Sequence, residues 1–198
     1  MKKNTALFID RDGTLIKETN HLVSADEIGL LPNSIEAVKK INSHGVLAIL
    51  VTNQSVVARG LLTERQLRHI HDSLVSLLDQ NGAKLDAVYY CPHHPKEGSG
   101  PLTLECGCRK PKPGMLCQAA ADFELDLNRC VMIGDNLSDV EAGHRAGAFS
   151  VLVKTGYGAA TVTRMETDSV SRKAQWYPDY IASDILRAVN WSLEKISG

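Results

Sequence analysis

Neither sign of charge dominates the 198-residue chain, which sets 22 lysines and arginines against 23 aspartates and glutamates for a formal net charge of −1. No block of like charges interrupts it, so the basic face that a general nucleic-acid or membrane-surface binder needs is missing. Long apolar runs are missing too. None approaches the roughly 20 residues of a membrane-spanning helix. The run in MKKNTALFID stops at Asp10, too short for the apolar segment of a secretion signal. These absences predict a cytoplasmic protein with no membrane or nucleic-acid partner. Aromatic residues are sparse at 5%, and both tryptophans, Trp176 and Trp191, lie in the C-terminal segment, where packing accounts for them better than base stacking does. Cysteines number five, yet three of them fall in one stretch, YYCPHHPKEGSGPLTLECGCRKPKPG (89–114). In a reducing compartment such clusters hold metals more often than disulfides.

Apolar residues supply 43% of the chain, enough to bury the core of one domain over 1–198. TALFID (5–10), VLAILVTN (46–53), LDAVYY (85–90), CVMIGD (130–135) and FSVLV (149–153) are short, nearly continuous apolar runs, as strands covered on both faces require. Helical spacing alternates with them. Asn33 or Ser34 can cap a helix carrying Ile35, Val38 and Ile41, stopped near Gly45. Thr63 and Gln66 match a capping box before Leu67, Ile70, Leu74 and Leu77, with Gly82 ending that helix. Met115–Glu124, Ser138–Ala146 and Ser183–Lys195 complete the helices. The polar stretch 155–175 lacks clean periodicity and is expected as a ragged loop.

Strand–helix alternation predicts an α/β fold, a Rossmann-like three-layer sandwich about a central parallel sheet. Ligands of such sheets bind beyond the carboxyl ends of the strands. Four polar clusters follow those ends and are expected to meet: Asp10 with Asp12, Thr52 with Asn53, the Cys91 loop, and Asp135. FIDRDGTL spaces two carboxylates two residues apart before a turn-permitting glycine; with Asp135 they can bind Mg²⁺ through oxygen. An Asp carboxylate can also act as a nucleophile and form an acyl-phosphate. Cys91-x-His93 and Cys106-x-Cys108 supply a Cys₃His set for a structural, four-coordinate Zn²⁺, with His94 as the competing nitrogen. A disulfide between Cys106 and Cys108 would be strained. Cys117 and Cys130 read as packed helix and strand residues, Lys112 as a surface charge, and His44, His69 and His71 as solvated or packed side chains.

FIDRDGTL, VTNQS, CRKP and VMIGDNLSD, in that order, resemble the four motifs of the haloacid dehalogenase-like phosphohydrolase superfamily over residues 7 to about 153. The resemblance implies that Asp10 is the nucleophile, Asp12 the general acid and base, Thr52 a phosphoryl hydrogen-bond donor and Lys110 the cation that neutralises phosphoryl charge. It implies Mg²⁺ on Asp10, Asp135 and the Asp12 main-chain carbonyl, and it favours His93 over His94 as the zinc ligand. Asp139 is open between a helix-dipole carboxylate and a group behind the metal ligands. The zinc would organise the loop that carries Arg109 and Lys110, not act in catalysis.

The intervals Thr14–Thr52 and Asn53–Lys110 leave no room for an inserted cap domain. The capless, zinc-loop arrangement is similar to two groups, the heptose 1,7-bisphosphate 7-phosphatases that serve surface-polysaccharide precursors and the histidinol-phosphate phosphatases. VTNQSVVARG, the long Cys-x-His to Cys-x-Cys interval and Arg109 resemble the heptose group. On that pattern Asn53, Gln54, Ser55, Arg59, Arg109, Glu18, Thr19, Asn20, His21 and Asn136 are substrate-contact positions, and the partner is a small sugar bisphosphate. Val56 and Val57 stand where that group often has Gly-Ile. The alternative from another class, a catalytically silent zinc-stapled binding module working without turnover, predicts loss of at least one of Asp10, Asp12, Lys110 or Asp135. All four are present. A monomer is expected.

Overall fold

In the computed structural model, residues 5–98, 100–167 and 176–197 are described. Six parallel strands form one sheet: β1 (Ala6–Ile9), β2 (Leu47–Asn53), β3 (Ala87–Cys91), β4 (Val131–Gly134), β5 (Phe149–Val153) and β6 (Tyr180–Ala182). Their spatial order is β3-β2-β1-β4-β5-β6. Ala6 through Ile9 are fully buried, which is why that run carries no polar residue. In β1, Leu7 sits beside Ala48 of β2 and Val131 of β4.

Side chains of a strand alternate between faces, and β1 divides the core accordingly. Leu7 and Ile9 join the apolar residues of α1 (Ser34–Ser43), α2 (Glu64–Gln80) and α6 (Ile185–Ser197). Ala6 and Phe8 face α3 (Gly114–Phe123) and α4 (Leu137–Ala146), through Met115, Leu116, Ala119 and Ala142. Leu152 of β5 packs with Val140 and with Val162 and Met165 of α5 (Gly158–Thr167) on that second side. The three-layer sandwich is as expected. Each fully buried large apolar side chain contributes roughly 1.5–3 kcal/mol by leaving water.

Local chemistry fixes the helix starts. Thr63 and Gln66 form the reciprocal capping box at α2, and Asn136 with Asp139 form a second at α4. The expected side-chain cap of α1 does not form. Asn33 sits in the left-handed region at φ 67° with no capping bond, and the Ser34 hydroxyl donates instead to the Leu15 carbonyl (2.7 Å). Two elements depart from the sequence expectation. Residues 158–167 of the expected loop are α5, whose buried side is short and interrupted by threonines, too weak a periodicity to stand out. The strand β6 has three residues, one of them buried. The rest of the expected loop, 168–175, lies outside the described residues. Cys117 is exposed and not packed, whereas Cys130 is buried as expected. Among the described residues, no helix is long and apolar enough to cross a membrane.

Candidate active site

The chain leaves β1 towards β2 on one side and later enters β4 on the other, so a crevice opens where the strand order reverses. Asp10 follows β1 there, its N–H donating to the Ile133 carbonyl (2.9 Å). Asp135 follows β4 into the same crevice. Carboxylate oxygens of Asp10, Asp135 and Asp139 lie within 4.8 Å of one another. The chain between the first two must pass close, and Gly13 permits it. Gly13 adopts φ +75°, and a Cβ there would collide with the Asp135 carboxylate. The Thr155 hydroxyl anchors the turn by donating to the Gly13 carbonyl (2.6 Å).

Lys110 enters from the far side of β2. Its Nζ lies 2.6 Å from Asp10 Oδ1 and 2.6 Å from Asp139 Oδ1, and it donates to the Val51 carbonyl (2.8 Å). Burial acts to lower the Lys110 pKa, but Asp10 and Asp139 together hold it above the ordinary lysine value. The ammonium is therefore permanently charged. Burial pushes the Asp10 carboxyl well above its usual range, against the pull of Lys110 and with the help of the neighbouring carboxylates. Asp135 is raised to about 7 by burial and then by Asp139, while the Tyr157 N–H (2.7 Å) opposes the shift. Asp139 spends its second oxygen on the Asn136 N–H (3.0 Å). One Asp139 oxygen thus caps α4 and the other is ion-paired to Lys110, beside the carboxylates of Asp10 and Asp135.

The expected neighbours of the nucleophile position are built differently from one another. The Thr52 hydroxyl, buried at the end of β2, accepts from Gln54 Nε2 (2.8 Å). The Asn53 side chain meets the Lys110 peptide from both sides, donating to its carbonyl and accepting from its N–H, each at 3.0 Å. Asn53 and Gln54 line the cavity, and their amides also hydrogen-bond protein groups. Ser55, Glu18, Asn20, His21 and Asn136 line a cavity of about 300 Å³ over Asp10, while Thr19 stands outside that lining. Asn136 also caps α4. Arg59 and Arg109 stand at the rim; Arg59 pairs with Glu97 (2.6 Å) and Arg109 donates to the His93 carbonyl (3.0 Å).

Four donor atoms, from Cys91, His93, Cys106 and Cys108, also lie within 4.8 Å of one another. The three sulfurs are 3.2–3.5 Å apart. His93 Nδ1 lies 3.6 Å from the Cys91 sulfur and 3.4 Å from that of Cys108. Tetrahedral bonding at about 2.3 Å would set sulfurs roughly 3.8 Å apart, so modest expansion fits a zinc ion. The Arg109 N–H donates to the Cys106 sulfur (3.4 Å), which ties the cluster to the next residue before Lys110. His94 turns away and accepts from the Lys96 and Glu97 N–H groups.

The oxygen-lined crevice fits a divalent cation by its charge. Among the described residues, the ion-pair partners of Asp10, Asp12 and Asp139 are Lys110 and Arg11, and Asp135 adds a further carboxylate beside them.

Several contributors were not legible beforehand. Among the described residues Arg11 is the largest fully buried side chain, wrapped against Asp12; buried arginine is rare enough that sequence gives no signal for it. His71 is buried beside Arg11. Tyr157 lines the cavity and donates its hydroxyl to Asn20 (2.8 Å) from the segment expected to be a loop.

The haloacid dehalogenase-like hydrolase family profile matches residues 20–147, and a HAD-hydrolase-like profile matches residues 107–188. D-glycero-beta-D-manno-heptose-1,7-bisphosphate 7-phosphatase of Pasteurella multocida is 44% identical over 79% of this chain and 84% of its own. D-glycero-D-manno-heptose-1,7-bisphosphate 7-phosphatase of Thermosynechococcus vestitus is 38% identical over 94% of both chains. Among solved structures, D,D-heptose 1,7-bisphosphate phosphatase from B. bronchiseptica, complexed with magnesium and phosphate, superposes with a TM-score of 0.80 at 31% identity, covering 96% of this chain and 98% of the other. Matched in this way over most of its length, in sequence and in fold, the chain belongs to the haloacid dehalogenase-like hydrolase family.

Proposed function

We propose that the chain is a Mg²⁺-dependent phosphatase, one catalytic domain over 1–198, that removes the 7-phosphate of D-glycero-D-manno-heptose 1,7-bisphosphate. The observation that carries the reading is the Asp10 carboxylate beneath the cavity, ion-paired to Lys110 and within reach of Asp135. The relatives named above support the sugar. Two rim arginines, Arg59 and Arg109, suit the second phosphate of such a substrate, because guanidinium binds phosphate through paired donors.

Asp10 attacks phosphorus through one carboxylate oxygen. The bond from phosphorus to the sugar oxygen breaks, and Asp12 gives that oxygen its proton, leaving an aspartyl-phosphate. Asp12, now a carboxylate, takes a proton from water. The hydroxide attacks phosphorus, the bond to Asp10 breaks, and inorganic phosphate leaves. Lys110 and the Thr52 hydroxyl face the phosphoryl oxygens throughout, and preorganised charge of this kind supplies much of the rate of phosphoryl transfer. When bound by Asp10, Asp135 and the Asp12 carbonyl, Mg²⁺ supplies further neutralisation of phosphoryl charge. Zn²⁺ held by Cys91, His93, Cys106 and Cys108 would fix the loop that presents Arg109 and Lys110.

The test is phosphate release with and without Mg²⁺ from both anomers of the heptose bisphosphate, beside histidinol phosphate. Mg²⁺-dependent preference for a heptose bisphosphate is expected. Preference for histidinol phosphate would keep the catalytic residues and overturn the assigned sugar.

A further inference from the structure

Arg11 lies between the two motif aspartates, and its side chain is 1% exposed. Burying a guanidinium is costly unless its donors are met, and here they are met by a defined set. Nε donates to both Asp12 oxygens (3.2 and 3.1 Å), and Nη2 donates to Asp12 Oδ1 (3.0 Å) and to Gln54 Oε1 (2.9 Å). Nη1 is 3.2 Å from His71 Nε2. Guanidinium only donates, so this nitrogen of His71 must carry the lone pair and the ring must be neutral with its proton on Nδ1. Gln54 is fixed just as fully. Its oxygen accepts from Arg11, and its Nε2 donates to Asp12 Oδ2 (2.8 Å) and Thr52 Oγ1 (2.8 Å).

Behind this set stands α2. The His71 ring packs against Tyr90 at 5.4 Å between centroids, and the Tyr90 hydroxyl donates to Glu64 (2.9 Å). Burial and the adjacent guanidinium depress His71 to about 3, consistent with a neutral acceptor at working pH. Arg11 lines the cavity, yet its hydrogen bonds go to Asp12, Gln54 and His71, which leaves the guanidinium directed at the Asp12 carboxylate.

We propose that Arg11 is the positioning residue of Asp12, fixing the plane of its carboxylate for proton transfer to and from the reacting oxygens, and that His71 sets Arg11 by accepting from Nη1. The inference rests on the phosphatase reading above. A carboxylate on a loop has two free torsions, and a fork bound to both oxygens, with Gln54 on one of them, removes them. Once Asp12 has released its proton to the leaving oxygen, the guanidinium and the Gln54 amide meet the negative charge that remains.

Proton donation matters most when the leaving oxygen is basic. The test therefore compares kcat/KM, which reports the first phosphoryl transfer, on an alkyl phosphate such as the heptose bisphosphate or another sugar phosphate and on p-nitrophenyl phosphate. In Arg11→Lys the fork is lost. The alkyl ester is expected to slow by about 100-fold and the aryl ester by about 5-fold or less, within the range of general acid catalysis. His71→Phe, which removes the acceptor, is expected to shift the alkyl-to-aryl ratio in the same direction by about 10-fold. His71→Gln, whose amide oxygen can accept from Arg11, is expected to restore most of it. Nitrogen NMR of histidine-labelled protein at pH 7 should place the His71 proton on Nδ1. A parallel loss on both esters in the folded variants, an unchanged ratio, or a doubly protonated His71 overturns the proposal. A wild-type protein that releases phosphate from neither ester with Mg²⁺ removes the phosphatase reading itself.

Discussion

Asp10 and Asp12 are chemically the same side chain two residues apart, and their surroundings assign them different work. Asp10 is buried facing an ammonium and two further carboxylates. Asp12 is gripped by a guanidinium and an amide and remains 21% exposed. The first is placed to bond to phosphorus, the second to exchange protons with atoms that enter from solvent. Asp10→Asn keeps the shape and the hydrogen-bond partner of Lys110 but removes the nucleophile. Turnover should fall by roughly 10⁴-fold or more while the circular dichroism spectrum stays that of the folded protein. Retained turnover would move the nucleophile elsewhere. Lys110 shows the same dependence on context: one lysine in a Lys-Pro-Lys run is buried among three acceptors, while Lys112 beside it stays on the surface near Glu105.

At the scale of elements, the described residues of 91–108 hold no helix and only the last residue of a strand, so the segment keeps its shape through scattered contacts such as Arg59–Glu97 and Ala58 N–H to the Pro92 carbonyl and through the Cys91, His93, Cys106 and Cys108 cluster. Cys108→Ser removes one donor of four and should release zinc, detected by metal analysis. Loss of Arg109 and Lys110 geometry should then lower kcat/KM by about 10–100-fold without global unfolding, in the range seen when residues that orient a site are lost. A zinc-free protein with full activity would separate the loop from catalysis. The helix α2 makes the opposite case, since its start is set by local chemistry. In its capping box the Gln66 N–H donates to Thr63 Oγ1 (3.3 Å) and the Thr63 N–H donates to Gln66 Oε1 (2.9 Å). Thr63→Ala should cost about 1 kcal/mol in urea unfolding and leave the phosphate-release rate alone.

For the whole molecule, the concentrated negative charge at the sheet edge makes stability depend on pH and metal together. Burial and the neighbouring Asp139 push the Asp135 carboxyl up to about 7, against 3.8 for an ordinary aspartate. Between those values the folded chain holds a proton that the unfolded chain has released, so stability of the metal-free protein falls as pH rises through that window. Asp135→Asn has no such proton to hold. Without metal at pH 7.5 the variant should be more stable than wild type by on the order of 2–4 kcal/mol, and the gap should close towards pH 4. Comparing the two proteins cancels the opposite trend from His71, which resists protonation in the fold and so favours stability as pH rises from about 3. Millimolar Mg²⁺ should raise the melting temperature of wild type and leave that of Asp135→Asn nearly unchanged. A gap that is flat with pH would place the excess charge elsewhere.

Sequence by itself determined the parts whose signal is local. Apolar runs such as FSVLV became strands because a strand between two helix layers must be largely apolar, its one polar side chain, Ser150, being met by the Val140 carbonyl, and β5 has the limits read from it. The Thr63 capping box, the Cys91/His93 and Cys106/Cys108 pairs and the polar residues that follow β1, β2 and β4 were likewise visible in short stretches. Tertiary structure alone decided what depends on residues far apart in the chain. Strand order placed β1 beside β4 and so brought Asp10 within reach of Asp135. Lys110 found Asp10 across 100 residues, and Asn53 and Gln54 turned their amides to protein groups that no spacing rule connects to them. Arg11 and His71, 60 residues apart, were buried together because their donors and acceptor complete one another. Hydrogen-bond satisfaction of that kind exists only once the elements have packed.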